Sequence, residues 1–260
     1  MAPTRDELIT HLLKTGMAGS VATPRENNLE HYRMMAEGDL YFQFGMDFGG
    51  RWSADAVLEL MARKVGVNPR LNFRRGVDTI DPELTADALQ RYAVRFRRAL
   101  VERERVLFAT GHPRTLRRMY QRLAGELTAA GGTVLEFGAG ERFQGDTKWA
   151  VREQEVRFDR GVATVAVAGN SVHSHTAQAA RVVLEAIAAA GEAPPDLVVA
   201  DHGWCGGAAF AGIDAIGFAD CNDPALFVGE EEGTVLVAVP LDDGIEEEQY
   251  DLLAQFVLDD

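Results

Sequence analysis

The pattern of hydrophobic and polar positions changes character near residue 103. Before that point, apolar residues recur every three or four positions, as is typical of amphipathic helices. This spacing predicts helices at residues 6–15, 24–35, 53–65 and 82–102. Asp81 and Pro82 mark the start of the last helix as its N-cap and first helical residue. We therefore expect residues 1–102 to form a helical N-terminal layer or lid.

After residue 103, short apolar runs alternate with helical segments. The runs predict strands at residues 106–110, 133–137, 197–200, 213–219 and 234–240, and a hairpin between Trp149 and Ala168. Such strands joined by helices are typical of a mostly parallel sheet with both faces covered. The predicted fold class is α/β, a mostly parallel sheet flanked by helices. We expect residues 103–260 to form the catalytic core, in one compact unit with the N-terminal layer.

Charge and cysteine content exclude several classes of protein. The chain has 26 Lys and Arg against 40 Asp and Glu, a net charge of −14, so it lacks the basic surplus that binds nucleic acid. Two cysteines cannot build a disulfide framework, which favours a reducing compartment. Charged residues near the start of the chain argue against a signal peptide. Polar residues within the longest uncharged run argue against a membrane span. We expect a cytoplasmic protein with no nucleic-acid or membrane partner, and the sequence leaves its oligomeric state open.

Chemically capable residues follow the predicted strands. Loops beginning at Thr110, Asn170, Asp201 and Asp220 contain four of the six histidines. In open α/β sheets, ligands bind beyond the carboxyl ends of the strands, where such loops converge. We therefore expect these four loops to build one site.

The first loop carries the sequence Gly111-His112-Pro113-Arg114-Thr115. A helix beginning here would offer free N–H groups and a positive dipole end to an anion. Arg114 and Thr115 could add a guanidinium and a hydroxyl to a bound phosphate. The alternative is an ordinary helix start with Arg114 on the surface.

The second and third loops carry imidazoles and a carboxylate. His173 and His175 are two positions apart, so in an extended segment both face one pocket, and such a pair suits Zn, Mn or Fe. Alternatively, one of them caps the next helix and the other packs. Asp201 and His202 can ligate a metal or form an acid/base pair, unless Asp201 only caps the helix that follows.

In the fourth loop, Asp220 and Asn222 share one direction and offer oxygen ligands to a divalent cation. Asp223 precedes a proline, which predicts a helix N-cap and a structural role. Cys221 is predicted to be a small buried residue. Far upstream, residues 25–31 could form a lid, but a solvated helix face is the preferred interpretation.

Several phrases resemble a family of actinobacterial phosphatases. They are ATPRENNLEHYR (22–33), DTIDPELT (78–85), VLFATGHP (106–113), the His173-Ser174-His175 triplet, PDLVVADHGW (195–204) and FADCNDPALF (218–227). The resemblance runs from about residue 4 to residue 244 and implies phosphatase activity without an assigned substrate. Members of that family often have small residues where this chain has Arg114 and Thr115, so the backbone of Gly111 is the safer phosphate contact.

Together these observations predict a phosphomonoesterase acting on a small phosphorylated metabolite. A divalent cation (Mg, Mn or Zn) would offset the charge that repels the attacking water. His173, His175, Asp201 and Asp220 would hold it, with Asn222 assisting. His112 or His202 would protonate the leaving alkoxide, while Gly111, Arg114 and Thr115 position the phosphate.

Three alternatives remain open at this point. His112 could attack phosphorus to give a phosphohistidine, but this leaves the acidic groups unexplained, and no arginine precedes that histidine. The same histidines could transfer protons in an isomerase or lyase acting on a hydroxy acid or sugar. The protein could also be a non-catalytic sensor that binds a phosphorylated metabolite.

Overall fold

A computed structural model describes residues 3–147 and 150–259 of the chain. The helices are α1 (Arg5–Thr15), α2 (Arg25–Ala36), α3 (Ala54–Lys64), α4 (Pro82–Glu102), α5 (Arg117–Ala129), α6 (Gln178–Ala189), α7 (His202–Phe210), α8 (Pro224–Glu231) and α9 (Asp251–Leu258). The strands are β1 (Gly19–Pro24), β2 (Val77–Ile80), β3 (Arg105–Ala109), β4 (Thr133–Val134), β5 (Arg142–Asp146), β6 (Val151–Asp159), β7 (Val162–Val167), β8 (Asn170–Ser171), β9 (Leu197–Val199), β10 (Ala215–Ala219) and β11 (Val237–Pro240).

The large sheet has the strand order β11-β10-β9-β3-β7-β6-β5. Its first five strands run parallel, with Phe108 of β3 opposite Val199 of β9, while β6 and β5 are antiparallel. Arg160 and Gly161 both take positive φ in the tight β6–β7 turn, as a two-residue hairpin requires. Trp149, where the hairpin was expected to begin, lies outside the described residues. The predicted α/β class with a mostly parallel sheet is confirmed.

The central strands are buried on both faces because helices cover them. Every residue of β9, β10 and β11 is buried, which a parallel sheet achieves only with helices on each side. Helices α4, α5 and α9 contact one another, and α7 contacts both α6 and α8. Among the helix–sheet contacts, α4 lies on β11, α5 on β3 and α7 on β9 and β10.

The N-terminal part contains the predicted helices and one feature that the sequence did not predict. Asp81 accepts a hydrogen bond from Glu83 N at 2.9 Å, and Pro82 is the first residue of α4, as predicted. The unpredicted feature is the antiparallel pair of β1 and β2. Its few residues alternate between buried and exposed over too short a length to give a clear pattern. The predicted strand at residues 133–137 shortens to β4.

The preferred interpretation of residues 25–31 as a solvated helix face is wrong. Arg25 and Asn28 are fully buried, and both donate to Asp78 Oδ2 at 2.9 Å. Asn28 also contacts the Cys221 thiol, which is buried as predicted. A buried charge pair of this kind is tolerated when its remaining polar atoms are hydrogen-bonded. This network holds α2 against the loop that follows β10.

The strand order creates a crevice between β3 and β9. From β3 the chain passes through β4, β5 and β6 to β7 on one side of β3, and later crosses to β9 on the other side. Loops that leave neighbouring strands in opposite directions open a cleft at the carboxyl ends, the usual ligand position in such sheets. Within residues 3–147 and 150–259, we find no helix with the length and apolar character that a membrane span requires.

Candidate active site

A cleft of about 700 Å³ lies at the carboxyl ends of these strands. Five of the six histidines in the sequence line it: His31, His112, His173, His175 and His202. Four carboxylates line it as well: Asp220, Asp223, Asp242 and Asp243. The lining residues that the structure describes include neither lysine nor arginine; Lys148 lies outside the described part of the chain.

Four of these histidines form what we call the imidazole wall: His112, His173, His175 and His202. Ring centroids are 4.2 Å apart for His112 and His173, and 4.6 Å apart for His175 and His202. The two histidines of the H-S-H triplet lie 4.8 Å apart, both lining the cleft. Loops after β3, β8 and β9 therefore place their imidazoles together.

His202 is held from behind by Asp201. Its Nδ1 donates to Asp201 Oδ1 at 2.9 Å, which turns Nε2 into the cleft. His202 also adopts a positive φ of 47°, a backbone conformation that is uncommon outside glycine and typical of functional positions. This arrangement resembles the carboxylate–histidine pairs that orient metal ligands in proteins.

The expectation that Asp201 itself holds a metal needs correction. Asp201 is fully buried, and its carboxylate accepts from Thr110 Oγ1 and Gly111 N, both at 2.6 Å, besides His202. It does not line the cleft or belong to any described cluster of candidate ligands. Its side chain makes no cap bond to α7 either. Asp201 therefore joins the loops after β3 and β9 rather than facing a ligand.

Gly111 also has a different role from the one expected. Its N–H, the one group that could donate to phosphate, donates to Asp201 instead, and its carbonyl accepts from Ser174 N at 3.0 Å. A Cβ at Gly111 would lie 2.4 Å from Ser174 O, and one at Gly203 would lie 2.1 Å from His175 O. These glycines allow three loops to approach closely enough to group the imidazoles.

The predicted phosphate contacts of Arg114 and Thr115 are also corrected. Arg114 is exposed and does not line the cleft. Thr115 Oγ1 donates to Asp243 O at 2.6 Å. Helix α5 begins only at Arg117, because turns occupy the preceding residues, so Gly111-His112-Pro113 does not present a helix N-terminus. The only part of this segment that lines the cleft is His112.

The four lining carboxylates, Asp220, Asp223, Asp242 and Asp243, form what we call the carboxylate wall. Asp223 was predicted to cap α8, but it makes no cap hydrogen bond, and its Oδ2 lies 3.2 Å from His202 Nε2. Asp242 and Asp243 were not singled out from the sequence. They follow the apolar run of β11 as Asp220 follows β10, which is the pattern that could have identified them.

Asn222 lies between two members of this wall. Its side-chain amide is 3.2 Å from Asp220 Oδ2 and 3.2 Å from Asp223 Oδ2. Turned with its NH₂ group towards them, it donates to both, and its oxygen accepts from Asn27 at 3.0 Å. Turned the other way, it adds a third oxygen to the wall. Asn222 therefore connects the two carboxylates by hydrogen bonds in the first orientation only, because an amide oxygen cannot donate to a carboxylate.

The N-terminal part completes the cleft. Thr23 donates its hydroxyl to Asp220, and His31 Nδ1 donates to Asn222 O at 3.0 Å. Tyr41 stacks on His175, with centroids 4.4 Å apart. Apart from the less favoured lid alternative for residues 25–31, sequence reasoning assigned none of these residues to the site, because they lie far from the strand ends along the chain.

Burial shifts the pKa values of imidazoles and carboxylates in the two walls in opposite directions. It lowers the pKa of His112 and His175 well below the ordinary value, and the charge on His202 adds to this effect. Burial alone would also lower the pKa of His202, but Asp223 and Asp201 outweigh it and raise that pKa. On the other wall, burial and the nearby Asp242 raise the pKa of Asp220 to about 7. Burial likewise raises the pKa of Asp243 well above its usual range.

Several buried polar atoms in the cleft make no hydrogen bond within the described residues. They are His112 Nδ1, His175 Nδ1, His202 Nε2, Asp223 Oδ1 and Asp243 Oδ2. Such atoms are costly unless a ligand satisfies them. Three groups have candidate ligand atoms within 4.8 Å of one another: His112, His173 and His202; His175, His202 and Asp223; and Asp220, Asp242 and Asp243. The donor set therefore fits divalent cations.

Comparison with known proteins agrees with the resemblance noted in the sequence. A family model described as Phosphatase matches residues 3–260. The protein Phosphatase SCO2771 from Streptomyces coelicolor (strain ATCC BAA-471 / A3(2) / M145) is 46% identical over 249 residues, which covers 95% of this chain and 92% of that protein.

Proposed function

Since the chain belongs to the Phosphatase family, we propose that it is a phosphomonoesterase that hydrolyses a small phosphorylated metabolite with the help of a divalent cation. One observation carries this proposal. The cleft is lined by imidazoles and carboxylates, with no lysine or arginine among its described lining residues. A phosphate dianion would be repelled by such a surface unless a cation balanced the charge.

His175, His202 and Asp223 are the proposed cation ligands, with His173 close by at the mouth of the cleft. All three are buried and line the cleft; His175 Nδ1 and Asp223 Oδ1 make no hydrogen bond in the described part of the chain, and His202 Nε2 lies 3.2 Å from Asp223 Oδ2. When bound, the cation supplies positive charge to the phosphoryl oxygens and lowers the pKa of a neighbouring water. Asp201 keeps Nε2 of His202 aimed at this position, as a carboxylate behind a ligating imidazole does.

His112 is the proposed proton donor to the leaving alkoxide. It lines the cleft with its side chain 17% exposed, so it can meet a bound ester. Burial and its neighbours lower the pKa of His112 in the free protein. A bound phosphate dianion would favour the protonated imidazole, because opposite charges within a few ångström stabilise each other. The proton is then transferred from the imidazole to the ester oxygen as the P–O bond breaks.

The test is release of inorganic phosphate from a panel of phosphomonoesters, with and without a chelator and with Mg²⁺, Mn²⁺ or Zn²⁺ added back. Release that the chelator stops and a cation restores supports the proposal. Release that the chelator does not affect favours phosphohistidine chemistry at His112. Thermal stabilisation by a ligand that is never turned over would identify a sensor, and turnover of unphosphorylated hydroxy acids or sugars would identify an isomerase or lyase.

A further inference from the structure

We propose that the cleft binds a second divalent cation in an all-oxygen site formed by Asp220, Asp242 and Asp243. The role of this second cation rests on the proposed phosphatase function. Its binding can be tested without measuring enzymatic activity. The three carboxylates come from the ends of the neighbouring strands β10 and β11. Each residue is at most 5% exposed, and their ligand oxygens lie within 4.8 Å of one another.

Two of these carboxylates, those of Asp220 and Asp242, are fixed in place by hydrogen bonds to backbone N–H groups. Asp220 accepts from Cys221 N at 2.6 Å, and Asp242 accepts from Gly244 N at 2.9 Å. Neither pairs with a lysine or arginine of residues 3–147 or 150–259. Each carboxylate oxygen has two lone pairs, so these bonds leave capacity for a cation. Three buried carboxylates at such separations repel one another unless protons or a cation intervene.

An independent observation comes from Asp243 and His202. Asp243 Oδ2 is buried without a hydrogen bond from any described residue, although its side chain is only 7% exposed. It lies 3.8 Å from His202 Nε2, whose nearer carboxylate is that of Asp223, with Oδ2 at 3.2 Å. His112 Nδ1 is 3.4 Å away on the same side. Asp243 therefore lies where the two walls meet, as a carboxylate shared between two cations would.

The two positions differ in chemistry. An all-oxygen site of carboxylates suits hard cations such as Mg²⁺ or Mn²⁺, whereas the imidazole-bearing position suits Zn²⁺, Mn²⁺ or iron. The N-terminal part also contributes to the oxygen site, because Thr23 donates to Asp220, and Ala22 N donates to Asp242 at 3.3 Å. Paired cations in phosphatases stabilise both the attacking and the leaving oxygen of an in-line displacement.

The test counts bound metal in the full-length protein. After equilibrium dialysis against Mn²⁺, elemental analysis should find two equivalents in the wild type. Asp242→Asn should bind one equivalent and His175→Ala should bind one, because each change removes a ligand of one position only. The control Asp214→Asn, at an exposed carboxylate, should keep both. Cobalt loaded into Asp242→Asn should retain the visible absorption of a nitrogen-ligated ion, and cobalt in His175→Ala should lose it.

One equivalent in the wild type, or two equivalents in Asp242→Asn, would overturn the inference. Thermal unfolding of each variant shows whether a lost equivalent reflects a lost fold, and Asp220→Asn serves as the second variant if Asp242→Asn does not fold. The proposed function can fail separately. A protein that binds two equivalents and releases no phosphate from any ester refutes the phosphatase proposal and leaves the second cation in place.

Discussion

The imidazole wall and the carboxylate wall respond to burial in opposite ways. Burial lowers the pKa of His112 and His175, and a neutral imidazole is already the form that binds a metal. The same burial raises the pKa of Asp220 to about 7, which favours the protonated form that binds metal poorly. His112 and His175 are therefore ready for a cation as they stand, whereas His202, whose pKa Asp223 and Asp201 raise, must first lose a proton. In the carboxylate wall, a bound cation would favour the charged forms of Asp220 and Asp243, whose pKa values burial raises.

Removing an imidazole should have the largest effect. We expect His175→Ala to lower kcat/KM by about 10³-fold or more, since losing a cation removes several kcal/mol of transition-state stabilisation. The matched control is His11→Ala. His11 is the one histidine of the sequence that does not line the cleft, and its Nε2 lies 2.7 Å from Gln249 O. The measurement is the kcat/KM for phosphate release by both variants. Equal values would show that the imidazole wall takes no part in the reaction.

A substitution at Asp223 tests whether a carboxylate of one wall and an imidazole of the other bind the same cation. We expect Asp223→Asn to lower kcat/KM by about 10²-fold, because it removes the carboxylate facing His202 Nε2 and weakens a cation ligand. If Asp223 were only a helix cap, asparagine would replace it at almost no cost.

Asp81 provides the matched control for that substitution. It also precedes a proline at a helix start, and its carboxylate does accept a cap bond, from Glu83 N. Asp81→Asn should therefore leave both thermal stability and phosphate release nearly unchanged. Similar kinetics for the two variants would return Asp223 to a structural role.

Asp201 acts on the imidazole wall from outside the cleft. We expect Asp201→Asn to lower cation affinity and kcat by about tenfold, the lower end of the range for residues that orient metal ligands. The amide keeps the shape of the carboxylate but not the charge behind His202. A metal titration monitored by calorimetry should show the weaker affinity while KM for the ester changes little. An unchanged affinity together with a raised KM would instead place Asp201 in substrate binding.

The sequence predicted the imidazole wall better than the carboxylate wall. Histidines are rare and here follow strands with a clear apolar pattern, so His112, His173 and His202 could be grouped without knowing the strand order. Aspartates are common at helix starts, and the Asp223-Pro224 pair matches a cap so well that its contact with His202 could not be foreseen. That contact depends on β9 and β10 lying side by side.

The sequence also could not predict which residues of the N-terminal part line the cleft, because their contacts again depend on tertiary packing. Thr23 and Tyr41 belong to segments whose local pattern shows a short strand and a loop, with no sign of a distant partner. The local sequence predicts that Arg25 is solvated, whereas tertiary packing buries it against Asp78. Contacts of this kind follow from tertiary packing, which overrides local propensity. The proposed division at residue 103 stays a prediction.

The smallest expected effect on kcat/KM is that of a substitution at Arg114. This substitution tests whether phosphate binding in the cleft requires the guanidinium of Arg114. Arg114 is exposed and outside the cleft, so Arg114→Ala should change kcat/KM by no more than about twofold, the usual range for a surface substitution. Kinetics with the best ester of the panel at low ionic strength would show any long-range attraction most clearly. A tenfold rise in KM would mean that the loop after β3 moves on binding and brings its guanidinium to the phosphate. In that case bound cations would not be the only positive charge that attracts the phosphate. The guanidinium of Arg114 would contribute as well, beside the imidazole wall and the carboxylate wall.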